Sequence, residues 1–372
     1  MSLSLFKGKS KLGIDIGTSS IKIVELEKEG GRFVLANYGL FELKSVSTNT
    51  EGLRPQDQLA KDRSIMRLPD EEVVRGIKEI IKKADMKSRD VVASIPSFST
   101  FATVIEMPYL SGEDLAKAIQ LEARKYVPIP IKDVIIDWSI IEILGQNQVK
   151  TENKEYAPKQ KTETVEVFLA AVSREETAKY QNMMKNAGLN LRALELENSA
   201  LIRALIGNDL SPIAIVNIGG RSTSITIVNK GYERISHNYE IGGFEITKSI
   251  ARSLNISIER ADELKMKFGL KEGDENVINE SMVSLIDMMA FETKKTIANY
   301  EESKGQTISK TLLIGGVANI PYFTEYFMKK LGREISPGNP FSRIIYPPEL
   351  ASTTLGLGNM LAVAIGLSMR EI

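Results

Sequence analysis

The chain has 372 residues, its 48 Lys plus Arg are balanced by 48 Asp plus Glu, and it carries no Cys and a single His, His237. A net charge of zero argues against a protein built to track nucleic-acid phosphates, which needs a basic surplus, and leaves open only a local basic patch. The missing thiols exclude disulfides and Cys-based zinc sites, and one His leaves little room for His-based catalysis. At 42% hydrophobic and 26% charged residues the composition is that of an ordinary globular protein, long enough for two domains with substantial cores.

In chain order, Met1 to Lys11 lacks the apolar core and cleavage pattern of a signal peptide, so the expected compartment is the cytoplasm. Leu12 to Ile16 and Ile21 to Leu26 read as strands joined by the turn Gly17 to Ser20, and a second turn at Gly30-Gly31 leads into Phe33 to Leu43. The polar stretch 45–69 has no periodicity and reads as a long loop. Asp70 is expected to cap a helix to Ala84, whose Val73, Val74, Ile77, Ile80 and Ile81 share one face.

Residues 88–187 have a β-β-α-β-β-α rhythm and read as a compact inserted unit. Strands are expected at Asp90 to Ile95 and Phe101 to Met107, then a helix from Gly112 to Tyr126 with Ser111 as its cap. Val127-Pro128-Ile129-Pro130-Ile131 is expected to be extended, because proline disfavours helix for itself and its predecessor. Strands Val134 to Leu144 and Thr164 to Val172 flank the polar stretch 145–163, and a helix from Glu175 to Ala187 stops at Gly188. Beyond it come a helix at Glu197 to Ile206, strands Ile213 to Ile218 and Ser224 to Val228, a mainly helical stretch 243–304, and a buried strand Thr311 to Ile314 ending in Gly315-Gly316. The last apolar run, Leu355 to Met369, falls short of the roughly 18 unbroken apolar residues of a membrane span and reads as a core helix.

The chemistry lies in an internal echo. Residues 14–24 read I-D-I-G-T-S-S-I-K-I-V and residues 216–228 read V-N-I-G-G-R-S-T-S-I-T-I-V. Each is a strand, an Asx residue, a glycine turn with hydroxyls, and a second strand, which implies duplicated domains facing each other across a cleft. Glycine turns expose successive backbone N–H groups that, with hydroxyls, wrap a phosphate. Gly17, Thr18, Ser19 and Ser20 form one candidate phosphate loop; Gly219, Gly220, Arg221 and Ser222 form the other. Asp15 suits Mg²⁺ directly or through water, and Lys22 leaves the same turn. Gly315 and Gly316 offer bare backbone to a base or ribose. Asp262 and Lys265, one helical turn apart, read either as the ribose and base contacts opposite them or as a solvated helix pair.

These elements in this order resemble the actin-like ATPase superfamily. The resemblance implies an α/β fold of duplicated actin-like, ribonuclease-H-like domains around a nucleotide cleft, binding ATP and Mg²⁺. It also implies that Glu197, in L-E-L-E-N-S-A-L, orients the attacking water; on position alone it is equally a helix-start carboxylate. The insert resembles the small α+β subdomain of the FtsA-type branch. Three stretches are similar to the PilM family of type IV pilus assembly proteins: Glu122 to Trp138, Ile250 to Lys265 and the ending A-V-A-I-G-L-S-M-R. The division this implies is 1–87, 188–210 and 350–372 for the first domain, 88–187 for the insert and 211–349 for the second. The family further implies a protein peripheral to the inner membrane that grips the cytoplasmic N-terminal tail of PilN and links the platform to the assembly motor ATPases. One departure matters: the superfamily opens its second phosphate loop with Asp, and here Asn217 stands there, so slow or negligible hydrolysis is expected.

The rigid run Tyr126, Val127, Ile129 and Ile131 reads either as a wall of the partner groove or as a connector packed in the insert's core. The competing classes are an actin-fold small-molecule kinase, which would need a polar substrate cluster, and an FtsA-like membrane-associated filament protein, which would carry an amphipathic terminal helix after a linker.

Overall fold

The computed structural model describes residues 10–42, 69–110, 112–144, 163–271 and 276–371. The expected Ser111 cap and nearly all of the stretches 45–69 and 145–163 lie outside them.

Two five-stranded sheets share one topology. In the first, β1 (Lys11–Ile16), β2 (Ser20–Glu29), β3 (Arg32–Glu42), β4 (Asp90–Ile95) and β8 (Asn190–Leu196) lie in the order β3-β2-β1-β4-β8. In the second, β9 (Ile213–Ile218), β10 (Thr223–Asn229), β11 (Tyr232–Tyr239), β12 (Lys310–Ile314) and β13 (Ser336–Pro337) lie in the order β11-β10-β9-β12-β13. Each begins with an antiparallel hairpin and continues through parallel neighbours. The echo read in the sequence is thus a repeat of whole sheets.

Strand periodicity assigns the two faces of the first sheet. Leu12, Ile14, Ile21 and Ile23 pack on helix α1 (Asp70–Lys83) through Val73, Ile77 and Ile80, and on α3 (Arg174–Asn186) through Tyr180, Met183 and Met184. The opposite face meets α9 (Thr354–Ser368) so closely that a Cβ on Gly13 would lie 2.0 Å from the Ala364 carbonyl oxygen. The second sheet packs Val216, Ile218 and Leu313 on α5 (Gly243–Leu254), α7 (Asn276–Lys304) and α8 (Phe323–Leu331). Between the bodies, α4 (Glu197–Leu205) and α9 share one core: Val92, Ala200 and Leu201 meet Ile213, Ile215 and Ile314 there. That core floors the cleft. Among the described residues, no helix is long and apolar enough to cross a membrane.

A third sheet, β5-β7-β6, is built from β5 (Thr100–Pro108), β6 (Val134–Leu144) and β7 (Thr164–Ser173), with α2 (Gly112–Ala123) on one face. β4 pairs with β1 and β8, and α3 packs in the first body's core, although the sequence division places both in the insert. We therefore propose narrower bounds for the insert, 100–173.

Three local expectations change. Asp70 does not cap α1: Pro69 holds that position without a side-chain bond, and Asp70 pairs with Lys179 at 3.1 Å. Helix α2 ends at Ala123, three residues before Tyr126, in a run of turns. The run after it is not wholly extended, because Ile131–Asp133 closes a 3-10 turn.

Candidate nucleotide cleft

The two glycine turns meet. Gly17 N–H donates to the Ser20 carbonyl at 3.0 Å and Gly219 N–H to the Ser222 carbonyl at 2.9 Å, so each turn is closed by the same bond. A Cβ on Gly220 would stand 2.5 Å from Ser19 Oγ, which puts the loops face to face across the cleft. Among the described residues, no acceptor takes the backbone N–H of Thr18, Ser19, Gly220, Arg221 or Ser222. Two facing loops with free donors form a cradle for an anion with several oxygens. The cleft around them has a volume of about 1420 Å³ and reaches from Asp15 to Gly316.

Asp15 and Lys22 are cross-strand partners on the β1–β2 hairpin. Lys22 Nζ lies 3.2 Å from Asp15 Oδ2, and Ser94 Oγ donates to Oδ1 at 3.1 Å. Asp15 is 4% exposed. With both oxygens partnered, it suits a magnesium ion that keeps its water shell better than one bound directly. Among the described residues, no group of three His, Cys, Asp or Glu gathers to hold a metal unaided, so the phosphates would have to supply the remaining ligands.

Glu197 lies at the first position of α4 and accepts from Ser97 N–H at 3.4 Å. Burial pushes its carboxyl up to about 8, and the negative charge of Asp15 adds to the push. Asn217, in register with Ser224, lines the opposite wall and brings no charge.

Beyond the second loop, Gly243 N–H and Phe244 N–H at the start of α5 donate to the carbonyls of Gly219 and Gly220, at 3.0 and 2.7 Å. The Arg221 guanidinium lies 4.4 Å from the Phe244 ring centroid, and Lys248 Nζ lies at the same distance. Lys265, 7% exposed on α6 (Ile258–Phe268), donates to Thr247 Oγ1 at 2.7 Å and pairs with Asp262; Thr247 Oγ1 lies 2.9 Å from Asp262 Oδ1. Lys265 is buried while the Asp262 side chain is half exposed, and Thr247 ties the pair to the cleft wall. Gly315 has φ +100°, and a Cβ there would sit 2.2 Å from the Ile218 carbonyl oxygen, whereas Gly316 faces open space. The asparagines Asn319 and Asn359 brace this turn, with Gly315 N–H donating to the Asn359 carbonyl at 3.0 Å.

Sequence reasoning missed Ser94, Ser97, Thr247, Phe244 and Asn359. The Gly242-Gly243 pair before α5 is the sequence signal that could have drawn attention to Phe244 and Thr247.

The profile of the family described as Type IV pilus assembly protein PilM matches residues 13–372. The chain belongs to this family. The solved "PilM-PilN type IV pilus biogenesis complex" is similar over 97% of this chain and 98% of that one, at TM-score 0.76 and 22% identity. MreB 5 of Spiroplasma citri bound to AMPPNP is similar at TM-score 0.51 and 13% identity, over 96% of this chain and 94% of that one. The cell division protein FtsA of Bacillus subtilis (strain 168) is 22% identical over 83% of this chain and 71% of its own length. Identities this low establish the fold, which is the actin-like one.

Within this PilM-family chain the run Tyr126 to Ile131 lies apart from the cleft. Val127 is 8% exposed and Ile131 packs on the insert's core, while Tyr126 and Ile129 are 43% and 42% exposed. Val127, Ile129 and Ile131 line an open groove of about 500 Å³ together with Arg124 and Lys132. The connector reading thus fits two of the four residues and the surface reading the other two.

Proposed function

We propose that the chain is an ATP-binding adaptor of the type IV pilus inner-membrane assembly platform, held there by the cytoplasmic N-terminal tail of PilN, with the assembly motor ATPases as further partners. The observation that carries the nucleotide half is the meeting of two phosphate loops, with Ser19 against Gly220, beside the Asp15–Lys22 pair. Free N–H groups and the Thr18, Ser19, Ser20 and Ser222 hydroxyls bind the phosphates, and Lys22 and Arg221 add positive charge. Gly315 and Gly316 take the base, and Thr247 with Asp262 and Lys265 reads the ribose. A bound Mg²⁺ would neutralise phosphate charge, held through water by Asp15. The family match and the likeness to a solved PilM-PilN complex support the partner half.

Two features argue for binding over turnover. With its carboxyl raised to about 8, only a minor share of Glu197 is ionised at neutral pH and free to take a proton from water. Asn217 offers no second charge to hold a hydrated metal or polarise water. Calorimetric titration with MgATP and then with a synthetic PilN N-terminal peptide tests both halves. Micromolar binding of each supports the reading, and failure of either removes the corresponding half. If the exposed connector residues touch the peptide, Tyr126→Ala and Ile129→Asp variants that stay folded lose peptide affinity and keep nucleotide affinity.

A further inference from the structure

The inserted sheet carries a row of like charges. Glu106 on β5 lies opposite Glu166 on β7, and Glu142 on β6 lies opposite the same Glu166. Carboxylates set directly opposite one another repel. The row depends on a bulge: Ile140 pairs with Val167 and Glu142 with Glu166, which leaves Ile141 as the extra residue and shifts the phase of β6 by one. In an unbroken ladder, Ile141 would face Glu166.

The countercharges come from the second body. Arg234 on β11 pairs with Glu166 and lies 3.6 Å from Glu142; Lys230 pairs with Glu142, and Lys304 at the end of α7 lies 3.6 Å from Glu166. Arg234 is aimed by a second bulge, since Ile227 pairs with Ile235 and Val228 with Glu233, leaving Arg234 unopposed. Its Nε donates to the Asn229 carbonyl at 3.3 Å, and Asn229 is anchored on Tyr300 and Gln306. The side chains of Arg234 and Glu166 are 8% and 12% exposed, so their attraction is weakly screened. Among the described residues, every ion pair between the insert and the rest of the molecule is in this cluster, and none reaches the first body, into whose chain the insert is spliced.

We propose that this five-residue cluster is a clamp that makes the insert travel with the second body when the cleft opens and closes. The first body is then joined to the insert by its two chain crossings, near Ser97 and Ser173, with one bond from Arg174 Nε to the Lys132 carbonyl at the second of them, and the space between the two units changes with the state of the cleft. The trigger rests on the nucleotide reading above; the clamp itself does not.

The absence of Cys makes the test direct, because any pair of introduced cysteines takes spin labels uniquely. One pair, Lys117→Cys with Arg260→Cys, spans the insert and the second body; another, Lys117→Cys with Lys83→Cys, spans the insert and the first body. Pulsed electron paramagnetic resonance then gives distance distributions with and without MgATP, in otherwise native chains and with Arg234→Met or Glu166→Gln. The expected result without nucleotide is a narrow insert–second-body distribution that at least doubles in width in both variants. With MgATP, the insert–second-body distance holds and the insert–first-body distance shifts. Unchanged width in folded Arg234→Met and Glu166→Gln chains overturns the clamp. Failure to bind MgATP sinks the nucleotide reading alone, since the nucleotide-free widths still decide the clamp.

Discussion

The two halves of the cleft have the same strand order and different charge. In the first body the cross-strand pair beside the phosphate loop is Asp15 with Lys22, an ion pair at 3.2 Å. In the second body the same register holds Asn217 with Ser224, which are neutral. The bodies also differ in how they hold a glutamate buried in the sheet. Glu25 in the first is 1% exposed and accepts from Ser10, Asn37 and the backbone of Lys87 and Ser88. Glu233 in the second is 6% exposed, and among the described residues its Oε2 has no partner. The duplicated scaffold is thus kept where packing needs it, while the polar chemistry is concentrated on one wall.

The comparison breaks first at the backbone of the second body. Gly315→Ala places a Cβ against the Ile218 carbonyl in a left-handed conformation, and the expected loss is about 3 to 5 kcal/mol in chemical denaturation. Gly316→Ala meets nothing within 4 Å, so it should keep its stability and lose nucleotide affinity.

The buried glutamates give the next largest effect. Burial pushes Glu233 up to about 7 from 4.5. Its folded-state value is therefore raised, so its share of stability is present below about 4.5 and is lost as pH rises through about 7. The full swing is about 3 kcal/mol. Glu233→Gln should flatten the stability profile between about pH 5 and about pH 8, and an unchanged profile would mean that the group is ionised in the fold.

Asp15→Asn puts an asparagine at this position on both walls and leaves the Lys22 charge without its carboxylate. MgATP affinity should fall roughly thirtyfold, about 2 kcal/mol, by calorimetry. Asn217→Asp does the reverse and charges both walls. Turnover should rise by about tenfold, near 1.4 kcal/mol of barrier, with little change in stability.

Much of this scaffold was legible because its signals are local. Period-two runs such as Leu12, Ile14, Ile21 and Ile23 mark one sheet face, and the repeated Ile-Gly after an Asx residue marks both loops. What escaped depends on distance along the chain. β11 reads Y-E-R-I-S-H-N-Y, too polar to look like a buried-sheet strand, because its side chains serve Asn198 and the insert as well as the core. Thr247 means little until the fold brings Lys265 to it across 18 residues. Likewise, β4 and α3 sit beside the insert in sequence, and only strand pairing and core packing assign them to the first body.

The most direct test of the central claim, that the cleft holds ATP without consuming it, is to mix the chain with one equivalent of γ-labelled MgATP and follow the bound fraction over time. Stoichiometric, intact ATP recovered with the protein after many minutes is the predicted result. Absence of bound nucleotide, or turnover approaching the roughly ten per second of a metabolic enzyme, would contradict it.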